Sequence, residues 1–118
     1  MKALHELGVV ESAAAIRQGK VSAVELSEAL LERIDALSDI QAWVHVDPEV
    51  VRAEARDRQA ELDRGSSAPL LGVPVGIKDI FFTAGMPTTA CSRVYADFVP
   101  DHDATSVALL RKAGAIVL

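Results

Sequence analysis

Among the 118 residues, Lys78 has the neighbours best suited to chemistry. It stands near the end of the run Gly72-Val73-Pro74-Val75-Gly76-Ile77-Lys78-Asp79, whose β-branched residues favour a strand. Strand alternation puts Val73, Val75 and Ile77 on one face and Pro74, Gly76 and Lys78 on the other. The lysine's face is nearly bare, and glycine inside a strand marks a place where a ligand or another backbone comes close. Gly76 beside Lys78 therefore suggests space above the amine, one form of pocket floor. An ammonium stripped of water there favours its neutral form, which lowers its pKa toward the range of a general base. The same residues allow a second reading, in which Lys78 buries its stem at the strand end and keeps its charge in water beside Asp79.

Other reactive side chains form weaker patterns. Cys91 and His102 could in principle make a thiolate–imidazole pair, but one cysteine and one dispersed histidine satisfy no geometry by themselves. His5, His45 and His102 lack metal-ligand spacing, and no phosphate-binding loop occurs, so neither a metal nor a cofactor is expected. Thr88, Thr89 and Ser92 either order the loop after Lys78 or serve as ordinary turn hydroxyls.

The elements that would position Lys78 alternate. Residues 9–18 read as a short helix ended by Gly19, and residues 22–37 as a second helix opened by the capping-box pair Ser22 and Glu25. Its apolar stripe is Leu26, Leu30, Ile34 and Leu37. A strand is expected over 41–46, where Trp43, Val44 and Val46 occur, followed at Asp47-Pro48 by a charged helix over 48–64 and a Gly65-Ser66-Ser67 linker. The lysine strand over 73–79 leads into a loop over 80–102. A helix over 104–113, capped by Asp103, and the start of a strand over 115–118 complete the pattern. This alternation predicts an α/β fold with parallel strands joined by helices. Three strands with apolar faces would leave a sheet edge and a helix-facing surface uncovered, an opening for oligomerisation or a partner.

Bulk composition narrows the class without naming a reaction. The length suits one domain, and half the residues are hydrophobic and a quarter charged, as in ordinary globular proteins. A net charge of −5 with scattered arginines provides no basic face for nucleic acid. The single cysteine fits a reducing compartment, and neither a signal-peptide core nor a membrane span is visible, so cytoplasm is the expected location.

The stretch Pro69 to Asp79, continued by Ala84-Gly85-Met86-Pro87-Thr88-Thr89-Ala90 with Ser92, by Phe98-Val99-Pro100 and Asp103-Ala104-Thr105, and by Arg111 to Leu118, resembles the amidase signature family in order and spacing. Ser22 to Leu37 is similar to that family's second N-terminal helix, so the likeness covers nearly the whole chain. Two positions depart from the pattern: Phe82 stands where acidic or polar residues are frequent, and Cys91 where glycine is.

The resemblance implies the N-terminal portion of an amidase signature domain, with a central mixed sheet covered by helices and incomplete here. It implies a serine amidohydrolase that converts a carboxamide to a carboxylate and ammonia or amine. In that family a neutral lysine works through a bridging serine to deprotonate a nucleophilic serine, and Lys78 matches the lysine. Gly76, Asp79, Thr89 and Ser92 are the candidates for support of the pocket or loop. Neither serine partner is identified, since Ser66-Ser67 precedes Lys78 in a linker and Ser92 belongs to a different loop. The expected partner is a small amide substrate. Two alternatives stand beside this reading: the glutaminase subunit of a tRNA-dependent amidotransferase, and a non-catalytic module.

Overall fold

The computed structural model describes Lys2 to Leu118. Helices α1 (Val9–Arg17), α2 (Ala23–Ala36) and α3 (Pro48–Asp63) precede the short strand β1 (Pro74–Val75). Helix α4 (Thr105–Lys112) and strand β2 (Ile116–Val117) follow, giving an α/β architecture. Single 3-10 turns lie at Leu4–Glu6, Ser38–Ile40 and Arg93–Tyr95. No described helix is long and apolar enough to cross a membrane.

The helix ends follow from local chemistry. Ser22 accepts the Glu25 amide at 3.0 Å, and Glu25 returns a bond from the Ser22 amide at 2.8 Å. Asp47 accepts the amides of Glu49 and Val50 at 3.1 and 3.3 Å, with Pro48 in the first turn. Asp103 does not cap α4. Ala104 holds that position without a side-chain bond, while Asp103 accepts the Ala84 amide at 2.8 Å and pairs with Arg111 Nε at 3.1 Å. The aspartate expected to start a helix thus ties the loop after Lys78 to that helix.

The segment read as a strand over 41–46 contains no strand residues, and Gln41 takes a left-handed φ of 54°. Its β-branched and aromatic residues are a weak signal, because strand propensity largely measures packing on a sheet, and no neighbouring strand is there. The sheet consequently has two parallel strands, with Pro74 beside Ile116 and Val75 beside Val117. The Leu118 amide donates to the Val75 carbonyl at 3.0 Å, and Lys78 follows three residues after Val75, just before the turn at Asp79 and Ile80.

Helix α2 lies between two apolar clusters. On one side Ala23 and Leu31 join Val51 and Ala55 of α3 and Ile116 of β2. On the other, Leu26 joins Ala13 and Ile16 of α1 and Val73. The buried face is Ala23, Leu26, Ser27 and Leu31, whereas Leu30, Ile34 and Leu37 of the anticipated stripe are only half-buried. Packing on two sides rotates the buried face away from a single stripe. Arg52 of α3 grips Glu28 of α2 through two bonds of 2.8 and 2.7 Å, and Gln59 accepts the Ala23 amide at 2.9 Å.

The expected open sheet edge is blunted on both sides. Glu54 of α3 accepts the Val117 amide at 3.2 Å, and its other carboxylate oxygen accepts from Arg111 at 2.9 Å. On β1, Pro74 has no N–H to offer a further strand. What remains open is apolar side-chain surface, with Val94, Val10, Ile40 and Leu109 the most exposed.

Ser27 supplies a stability test. Its hydroxyl is buried and lacks a hydrogen-bond partner, and an unsatisfied buried hydroxyl destabilises by about 1 kcal/mol or more. Ser27→Ala is expected to raise the urea midpoint by an amount equivalent to about 1 kcal/mol. A lowered midpoint would show that the hydroxyl is bonded in solution.

Candidate active site

Lys78 lies on the wall of an open cleft of about 520 Å³, which Trp43, Gly76, Phe81, Met86 and Cys91 also line. Gly76 explains how the cleft is assembled. A β-carbon placed on it would lie 2.8 Å from Trp43 Cη2 and 3.3 Å from Cζ3. The close approach that glycine signals is therefore the indole of this chain's own Trp43. The segment over 41–46 contributes that wall as irregular chain, and sequence reasoning missed it by assigning those residues to a strand.

Lys78 itself is exposed, as is Gly76, while Val73 is buried and Ile77 half-buried. Pro74 and Val75 are both half-buried, and Gly76, Ile77 and Lys78 all line the cleft, so burial does not divide this run into two alternating faces, and these residues alone do not bury the amine. The Lys78 carbonyl accepts the Ile80 amide at 2.7 Å and the Phe81 amide at 3.1 Å, closing a tight turn just after the lysine.

Asp79 anchors that turn to the far side of the loop. One of its carboxylate oxygens accepts the Thr89 amide at 2.8 Å, the other accepts the Thr89 hydroxyl, and its carbonyl accepts the Ala90 amide at 2.9 Å. Thr89 Oγ1 also accepts the Cys91 amide at 3.2 Å. Ala90 and Cys91 have φ of 49° and 54°, in the left-handed region that favours glycine. That conformation is the physical reason glycine suits the position of Cys91. Ser92 lies outside the cleft lining; its amide donates to the Thr89 carbonyl at 2.8 Å and its hydroxyl accepts the Val94 amide at 3.3 Å. Thr88 is buried and donates its amide to the Phe98 carbonyl at 2.9 Å.

Cys91 and His102 are not brought together by a shared pocket. Cys91 lines the cleft, whereas the His102 ring contacts Asp101 at 2.7 Å and packs edge-on to Phe82.

The Asp79 carboxyl is held below its usual range. Burial acts to raise it, but the Thr89 hydroxyl, the Thr89 and Cys91 amides and the Lys78 ammonium together outweigh that effect. A depressed folded-state value means that the carboxylate's stabilisation is complete above the unfolded pKa of about 3.9 and fades as pH falls through the folded value. Asp79→Asn should therefore make the acid limb of stability shallower in thermal melts between about pH 2 and pH 6. An unchanged limb would mean that Asp79 contributes nothing to acid sensitivity.

A protein-family model described as Amidase matches residues 25–118 of this sequence. The chain belongs to the amidase family. The amidase segment is 40% identical over 119 residues to a glutamyl-tRNA(Gln) amidotransferase subunit of a Roseiflexus species, covering 100% of this chain and 24% of that relative. To the corresponding subunit from Burkholderia vietnamiensis it is 43% identical over 115 residues, covering 98% of this chain and 23% of the relative. The solved peptide amidase of Stenotrophomonas maltophilia superimposes with a TM-score of 0.88 at 36% identity, over 96% of this chain and 24% of that one. The chain thus spans about a quarter of the length of the relatives it matches, and its fold is the N-terminal part of theirs.

Proposed function

We propose that this chain is the lysine-bearing N-terminal segment of a serine amidohydrolase, with Lys78 as general base and then general acid. The observation that carries this reading is the placement of Lys78 at the edge of a cleft, on chain held between a two-stranded sheet and the Asp79–Thr89 anchor. The two serines belong to a Gly/Ser-rich segment outside these residues. Neutral Lys78 takes the proton of the bridging serine, which takes that of the nucleophile. The nucleophile's oxygen bonds to the amide carbon, the C–N bond breaks, and Lys78 returns the proton through the bridge to the departing nitrogen. Water then cleaves the acyl-enzyme ester to release the carboxylate.

The exposed Phe81, which lines the cleft with Lys78, supports the same reading, because apolar surface of that kind is suited to cover by further chain. Such cover would remove water from Lys78 and favour the neutral amine. The decisive measurement is amide turnover by the serine-complete enzyme with and without the Lys78 amine. The 118 residues alone would be inactive, and amide turnover by them would overturn the division of labour proposed here.

A second reading is a glutaminase subunit of a tRNA-dependent amidotransferase, favoured by the names of the 40% and 43% identical relatives. Ammonia release from glutamine that rises when partner subunits are added would support it. Release from peptide amides without partners would support a free-standing amidase.

A further inference from the structure

We propose that Thr89 and Asp79 act together as a positioning clamp for Lys78, with Thr89 as the positioning residue. The inference rests on the assignment of Lys78 as the base. Lys78 follows strand β1 by three residues, and its backbone is held by the turn that comes after it. The Lys78 carbonyl closes the turn to Ile80 and Phe81, and the next residue, Asp79, uses both carboxylate oxygens and its carbonyl to hold Thr89 and Ala90.

Thr89 serves Asp79 twice, with its amide and its hydroxyl, and the same hydroxyl receives the Cys91 amide. A hydroxyl both donates and accepts, so this single side chain joins the carboxylate to the next turn of the loop. Ala90 and Cys91 are held in the left-handed region directly after it. Strained backbone persists where surrounding bonds over-determine it, and here the bonds converge on the residue adjoining Lys78. Charge-assisted bonds of this type are stronger than neutral ones, which suits a carboxylate used to hold a neighbour in place.

Thr89→Val removes the hydroxyl while nearly conserving shape, and Thr89→Ser restores it. In the serine-complete enzyme, Thr89→Val should lower kcat by roughly 10- to 100-fold, the scale of a small misplacement of a catalytic group, with KM little changed. Thr89→Ser should recover most of the loss. A second readout is independent of turnover. Reductive ¹³C-methylation of the 118-residue chain labels the α-amine together with Lys2, Lys20, Lys78 and Lys112, and Lys78→Arg identifies the Lys78 resonance. In Thr89→Val that resonance should shift or broaden while those of the other three lysines stay in place.

Asp79→Asn, which keeps an oxygen for the Thr89 amide, serves as the second variant if Thr89→Val does not fold. An unmoved Lys78 resonance in whichever variant folds, or an unchanged kcat, would overturn the clamp even if Lys78→Ala abolishes turnover. Turnover retained by Lys78→Ala would instead overturn the base assignment, with the resonance still reporting whether the clamp acts on the lysine.

Discussion

Lys78→Ala in the serine-complete enzyme is expected to reduce kcat/KM for amide hydrolysis by roughly 100- to 10,000-fold, the contribution of a general base. Lys78→Arg should not rescue it, because a guanidinium stays protonated and cannot accept the serine's proton. The arginine variant separates a requirement for positive charge from a requirement for a titratable amine. Lys78 is exposed in this segment, so neither change removes a core contact, and circular dichroism of the 118-residue chain should be unaltered. Near-native turnover in a folded Lys78→Ala enzyme, followed as ammonia or amine release, would remove Lys78 from the mechanism. Recovery by arginine would retain its charge and reject its basicity.

Gly114→Ala has the largest expected effect on folding. Gly114 adopts a φ of +94°, and a β-carbon there would lie 2.7 Å from Leu71 Cα and 3.0 Å from Leu71 N. Both obstacles are backbone, so no rotamer relieves them. The crossing is fixed by the Gly72 amide on the Gly114 carbonyl at 2.9 Å and the Leu70 amide on the Ala113 carbonyl at 2.8 Å. Left-handed strain and forced overpacking together are expected to destabilise by about 3 kcal/mol. Gly19→Ala is the matched control: its φ is +67° with nothing within 4 Å of the added carbon, so it should lose only about 1 kcal/mol. Urea unfolding of the two variants checks the difference. Equal losses would show that the Leu71 contact relaxes and that φ alone sets the cost. A large loss at Gly114 would also affect the site, because β1 leads directly to Lys78.

The local features were legible because they depend on residues close in sequence. Ser22 with Glu25, and Asp47 before Pro48, each satisfy amides within three residues. Gly19, Gly65 and Gly114 adopt the positive φ that their places at helix ends suggest. The features that were misread depend on distant partners. Asp103 has the form of an N-cap, but the Ala84 amide and Arg111 compete for its carboxylate. Trp43 has strand propensity, but its indole is used against Gly76, more than thirty residues away in the sequence. Thr89 is one of several turn hydroxyls by sequence, and only the fold places it on Asp79.

For the lysine, the run from Gly72 to Asp79 by itself determined its presence and the family it points to. These follow from residue type and order along the chain. Only the tertiary structure decided that the neighbouring space is walled by Trp43 and that Asp79 is bound to Thr89 rather than left to pair freely with the lysine. Those outcomes arise where chain segments far apart in sequence compete for the same volume and the same hydrogen-bonding groups, a competition that one-dimensional spacing does not contain.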